Sequence, residues 1–173
     1  MTTARAFLRF GASSAQNPAW LMGEVNRFLT RDSVDSGRFM TMFFLEIDPS
    51  AQSLCWVRAG HDPALLYDPV HDSFTELNGD GVALGVLEEF TYKAYRRKNW
   101  TPGSVVIVGT DGIRETRNTA DHMYGTHNLR SIVRRMSSDS AENIQNAIIA
   151  SLNDFRDGTP QEDDVTLVVV KLL

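Results

Sequence analysis

The order of periodicities predicts an α+β fold with a largely antiparallel sheet. Three observations carry the prediction. Helical patterns come first, a block of apolar β-rich runs joined by short turns follows, and two further helical patterns precede a last apolar run. Strands and helices that segregate along a chain, rather than alternate, favour hairpin pairing over βαβ crossovers. At 173 residues the chain is long enough for one domain with a real core and short for two. No internal repeat, linker or low-complexity stretch divides residues 1–173, so a single domain is expected.

The elements follow in order. Ala6, Phe7 and Phe10 read as the end of an amphipathic helix. Asn17 and Pro18 make a helix start, with Asn as N-cap and Pro at the first helical position. Leu21, Val25, Phe28 and Leu29 then fall on one stripe of a helix ending near Arg31, before a polar loop over 31–38. Residues 39–47, FMTMFFLEI, are apolar on nearly both faces, as a central strand would be. A turn at Asp48-Pro49-Ser50 and a second run over 53–59 complete a hairpin, and residues 64–67 add a short extended piece. Residues 71–87, rich in Gly and Asp, predict an irregular loop. Phe90, Tyr92 and Ala94 alternate with polar neighbours as a half-buried strand does. Thr101-Pro102-Gly103 turns the chain into the run Val105 to Val108. Leu129, Ile132, Val133 and Met136 mark a short helix. Asp139, with Glu142 three residues on, looks like the capping box of the next, whose buried face is Ile144, Ala147, Ile148, Leu152 and Phe155. A polar loop, DGTPQEDD, leads to a final strand over 165–172.

Composition removes some functions. A net charge of -5 argues against general nucleic-acid binding, which needs a basic face. Arg96-Arg97-Lys98 and Arg134-Arg135 read as solvated faces. One cysteine, Cys55, permits no internal disulfide; between Leu54 and Trp56 it reads as a small core residue, which fits a reducing cytoplasm. No stretch is long and apolar enough to span a membrane, and the N-terminus lacks the apolar core of a secretory signal.

The chemistry gathers at two strand ends. Asp111 follows the apolar run VVIVGT, and Asp163-Asp164 precede VTLVVV. Charge beside buried strands must reach water or meet a cation. Carboxylates brought together repel, and a hard divalent ion with oxygen ligands relieves that repulsion. Gly112 lets the backbone turn or approach a ligand closely. Asp111, Asp163 and Asp164 are therefore candidate Mg²⁺ or Mn²⁺ ligands. Asp-Gly after a strand is also a common turn, and Asp-Asp before one also ends loops, so spacing alone leaves both readings open.

Five segments in order, GRFMTMFFLEID, AGHDPALLY, GVALGV, PGSVVIVGTDGIRET and QEDDVTLVVVK, resemble the SpoIIE-type phosphatases. These are the sigma-factor-regulator branch of the metal-dependent, type 2C-like protein phosphatases. The likeness runs from about residue 17 to the C-terminus. It implies an αββα sandwich with a binuclear Mn²⁺/Mg²⁺ site. It also implies hydrolysis of phosphoserine or phosphothreonine on a regulatory protein, such as an anti-anti-sigma factor, under an upstream sensor or receiver domain. Asp111 takes the place of the family's Ser/Thr-Asp-Gly metal aspartate and Asp163 that of the second, with Asp164 supporting or alternative. Paired metals can acidify a water and clamp phosphoryl oxygens, so no protein nucleophile is required and no catalytic side chain beyond the metal ligands is expected. Glu115, in the family's Asp-Gly-x-x-Glu pattern, is expected to hold the loop or to form a surface ion pair. His61 falls in a Gly-His-x-Pro segment whose role is mainly to shape a turn. GDGVALGV has no following Gly-Lys-Ser/Thr and is not a P-loop; it is expected to lie near the active-site edge.

The family's early Gly-Asp and Asp-x-x-Gly-His-Gly motifs have no counterpart before Ala6. The chain is therefore expected to lack the first strands, and with them half the metal shell, and to show little activity alone. The competing expectation is a non-catalytic module that keeps the fold to bind a regulatory partner.

Overall fold

The apolar periodicities become two structural units, each built on its own antiparallel sheet. The computed structural model describes residues 2–12, 17–33 and 37–173. One unit comprises Met1–Pro63 with Asn78–Asn99, the other Ala64–Leu77 with Trp100–Leu173.

In the first unit, α1 (Thr2–Ala12) and α2 (Pro18–Ser33) accompany β1 (Met42–Asp48), β2 (Ser53–Ala59) and β5 (Tyr95–Lys98), ordered β1-β2-β5. Asn17 caps α2 as expected, its side chain accepting from the Ala19 amide at 2.9 Å. The α2 stripe includes Met22, which joins Leu21 and Val25 in a core with Val57, Ala59, Leu84 and Tyr92. Phe28 stays partly exposed and stacks on Phe7 of α1 with ring centroids 4.0 Å apart. On α1 the residue that buries is Ala4; Ala6 is exposed. The expected loop over 31–38 lies partly outside the described residues, at 34–36; α2 itself runs on to Ser33. Asp48 closes the β1–β2 hairpin by accepting from Ser50 Oγ at 2.6 Å and the Ala51 amide at 3.0 Å. Cys55 is buried, and that burial pushes its thiol up from the ordinary range.

Two expectations are corrected here. Among the described residues β1 lies at the edge of its sheet, only half-buried, not at its centre. An apolar run reports that both faces meet other groups, not how many strands flank it. The strand expected from Phe90 begins only at Tyr95. Tyr92 is buried between exposed Thr91 and Lys93, so the alternation is real but carries no ladder; the Tyr92 hydroxyl donates to the Val82 carbonyl at 3.0 Å.

In the second unit β3 (Ala64–Asp68), β4 (Ser73–Leu77), β6 (Val105–Gly109) and β7 (Leu167–Lys171) are ordered β4-β3-β6-β7. The short α3 (Gly112–Glu115), α4 (Gly125–Met136) and α5 (Ala141–Arg156) complete it. Leu65, Tyr67, Val105 and Ile107 pack against Leu129, Ile132 and Val133 of α4 and Ile144, Ile148 and Leu152 of α5. Each such side chain, taken from water, contributes about 1.5–3 kcal/mol. β4 lies where an irregular loop was expected, and α3 was not anticipated. The α5 cap is Ser140 rather than Asp139: its hydroxyl accepts from the Asn143 amide at 3.2 Å. Asp139 instead ends the preceding turn, its amide donating to Met136 O at 2.9 Å.

Candidate metal centre

β6 and β7 are neighbours in register, Gly109 opposite Leu167, so their two acidic ends meet at one edge of the second unit. Beyond that pair the chains are tied by Thr110. Its amide donates to Thr166 O at 3.1 Å, its hydroxyl accepts from the Thr166 amide at 3.0 Å, and the same hydroxyl donates to Asp164 O at 3.0 Å. The TDG segment is thereby tied to the DDV segment by protein hydrogen bonds.

Asp111 then starts α3. Its Oδ1 accepts from the Gly112 amide at 3.0 Å, and its carbonyl accepts from the Glu115 amide at 2.9 Å. Ile113 anchors this single turn in the core, and Thr116 Oγ1 donates to Gly112 O at 2.6 Å. Gly112 lies so close to the Asp164 peptide that a Cβ built on it would stand 2.7 Å from Asp164 O. Across this contact Asp163 Oδ1 accepts from the Asp164 amide at 2.7 Å. Asp111, Asp163 and Asp164 are all exposed. The second oxygens of Asp111 and Asp163 carry no hydrogen bond among the described residues.

The structure thus brings the Asp111 and Asp163–Asp164 backbones together. Among the described residues, no group of three or more His, Cys, Asp or Glu is placed to hold a metal ion. A shallow hollow beside the aspartates is lined by Gly112, Glu115, Thr116, Arg156, Gln161 and Asp163. Glu115 is half-exposed and its nearest cation is Arg114, at 3.9 Å. His61 belongs to the first unit, where it shapes the turn after β2. Its Nδ1 donates to Asp62 O at 2.9 Å, and its carbonyl accepts from Arg58 Nε. Gly60 before it has φ +70°, and a Cβ there would strike the Ala83 backbone. Sequence reasoning passed over Thr110, Gln161 and Arg156. Thr110 could have been noticed, because a hydroxyl beside a strand end can bridge two chains; nothing marked the other two.

A family model described as Stage II sporulation protein E (SpoIIE) matches residues 1–173. The chain belongs to the SpoIIE family. It is 25% identical over 157 residues to phosphoserine phosphatase RsbU of Bacillus subtilis (strain 168), covering 90% of this chain and 45% of that protein. The chain therefore spans under half the length of that curated relative. Its fold matches the SiaA-PP2C domain of Pseudomonas aeruginosa at TM-score 0.84 and 19% identity, over 98% of this chain and 68% of that one. It matches RsbX in complex with magnesium at TM-score 0.71 and 20% identity, over 99% of this chain and 72% of that one. The SpoIIE family member described here thus has a PP2C-like α+β fold of two antiparallel sheets with helices. The donors at its candidate centre are all hard carboxylate oxygens. That suits Mg²⁺ or Mn²⁺, and Mg²⁺ commonly takes only one or two carboxylates and fills its shell with water and phosphate oxygens. The SpoIIE residues fit such an ion as part of a shell.

Proposed function

We propose that residues 1–173 act as a single SpoIIE-type domain of a metal-dependent protein serine/threonine phosphatase in bacterial signalling. Its substrate is a cytoplasmic phosphoprotein regulator of the anti-anti-sigma type, and a sensor or receiver domain of the same protein controls it. The observation that carries this reading is the fixed juxtaposition of the TDG and DDV segments. Asp111 and Asp163 are the protein ligands of a Mn²⁺ or Mg²⁺ centre, with Asp164 in support. Such ions supply an acidified water and positive charge for phosphoryl oxygens. The chain's own part is to hold the carboxylates: Thr110 locks the two segments, Gly112 leaves room for the Asp164 peptide, and α3 aims Asp111. Glu115 borders the hollow, and His61 keeps the β2 turn in shape.

Asp111→Asn in the full-length protein that carries this chain tests the assignment. Manganese-dependent release of phosphate from a phosphoserine peptide should fall by at least about 100-fold. Unchanged turnover would sink the role of Asp111.

A second reading rests on the small donor set. With no group of three carboxylates placed for one ion among the described residues, the 173 residues by themselves act in this reading as a partner-binding module and hydrolyse little. No helix of the described residues is long and apolar enough to cross a membrane. Robust manganese-dependent turnover of p-nitrophenyl phosphate by these residues would remove this second reading.

A further inference from the structure

We propose that Arg156 and Gln161 form a clamp that positions the Asp163 carboxylate for its cation. The proposal rests on the metal-centre reading above. Arg156 is the last residue of α5, a helix fixed to the core by Ile144, Ile148 and Leu152. The final turn is held further by Phe155, edge-on to Tyr124 at 5.3 Å, and by Tyr124 Oη donating to Ser151 Oγ at 2.9 Å. After Arg156 the chain reverses through Asp157 in the left-handed region and Gly158 at φ +83°. The loop that follows carries Asp163 back toward β7 with no ladder of its own.

Two polar links replace the ladder. Arg156 Nη1 donates to Gln161 Oε1 at 3.2 Å, while Nη2 donates to Asn153 Oδ1 at 3.2 Å and so orients the guanidinium. At the other end of the same amide, Gln161 Nε2 donates to Asp163 O at 2.8 Å. The next carbonyl, Asp164 O, is held from the opposite side by Thr110 Oγ1. The carbonyls of two successive residues are therefore tied to two rigid elements, α5 and β6. With both fixed, the Cα–Cβ direction of Asp163 is set, and the Asp164 amide restrains rotation of its carboxylate. A glutamine suits this relay because one amide group both accepts from a guanidinium and donates to a carbonyl. Arg156 and Gln161 are positioning residues; neither needs to touch the ion.

Mn²⁺ alone is the probe, titrated into the 173-residue protein while paramagnetic broadening of the amide signals of residues 110–113 and 162–165 is followed. Arg156→Ala and Gln161→Ala should each weaken apparent Mn²⁺ affinity roughly tenfold, in the range found for residues that orient metal ligands. The double variant should be no worse than either single one, because both act through one chain of contacts. Arg156→Lys, which keeps a donor for Gln161, should recover most of the affinity. Should Arg156→Ala fail to give a folded spectrum, Gln161→Ala, an exposed loop substitution, decides alone. Asp163→Asn separates the two ideas. If it abolishes the broadening while the clamp variants leave affinity unchanged, or their effects simply add, the clamp is wrong and the metal centre stands. If it leaves the broadening intact, or the unsubstituted protein shows none, the metal centre itself fails and the clamp with it.

Discussion

At Gly112 a hydrogen atom stands where any other residue would put a carbon against the Asp164 carbonyl. Gly112→Ala must therefore push the TDG turn away from the DDV segment. The expected cost is about 1–3 kcal/mol in urea denaturation, typical of forced overpacking, together with weaker Mn²⁺ broadening at Asp163. Alanine at wild-type stability and affinity would show that the two segments separate freely. Asp68 offers a second test, remote from the aspartate pair in role. Burial acts to raise its carboxyl, yet donors from His71, Thr101 and the amides of His71 and Val70 outweigh it and hold the carboxyl at about 2. A carboxylate depressed in the fold contributes stability above its unfolded pKa, near 3.8, and loses that contribution as pH falls toward 2. The urea midpoint should therefore fall between about pH 4 and pH 2, and Asp68→Asn should flatten that part of the profile. An equally steep fall in the variant would place the acid sensitivity elsewhere.

Ser140 begins α5, and the helix leads directly to Arg156. Ser140→Ala removes the acceptor for the Asn143 amide and should cost about 1 kcal/mol, read from the thermal midpoint. A shift within error would mean that water caps the helix as well. At this scale the sequence was most legible where periodicity runs long. The stripes of α4 and α5 span several turns, so a one-residue error in the α5 cap left their buried faces in place, while on α2 the stripe was offset, with Met22 buried and Phe28 left partly exposed. α3 is four residues long and has no period to read. β4 reads SFTEL, with Ser73, Thr75 and Glu76 exposed. It is a strand because β3 supplies a partner, and that partner is not written into those five residues. The site divided in the same way. Asp111 and Asp163 stand out as candidates because charge beside an apolar run is conspicuous in one dimension, and the β6–β7 pairing brings their segments together. Thr110, Gln161 and Arg156 do their work through hydrogen bonds to residues whose nearness only the folded chain reveals.

For the molecule as a whole, the bracket around the aspartates is made of hydrogen bonds between protein groups, so its integrity is expected not to depend on a cation. EDTA should leave the thermal midpoint within about 1 °C. Mn²⁺ at a concentration equal to its dissociation constant should add only about 0.4 kcal/mol, the linkage expected for one weak site. Loss of cooperative unfolding on chelation would show that an ion is structural here. Net charge remains at -5, so cations are drawn toward the protein in general, and specificity must come from where the carboxylates are held.

The Thr110 link joins residues 54 apart in the chain. A nascent polypeptide carries Asp111 through the whole synthesis of α4 and α5 before its counterpart exists. Closing so long a loop is an entropic cost met late, once the intervening helices have a surface to dock on. The juxtaposition of the two acidic segments is thus among the last features to mature as the protein is made. A chain interrupted before β7 presents an unpaired β6 edge and a lone aspartate, which is aggregation-prone material with no metal chemistry.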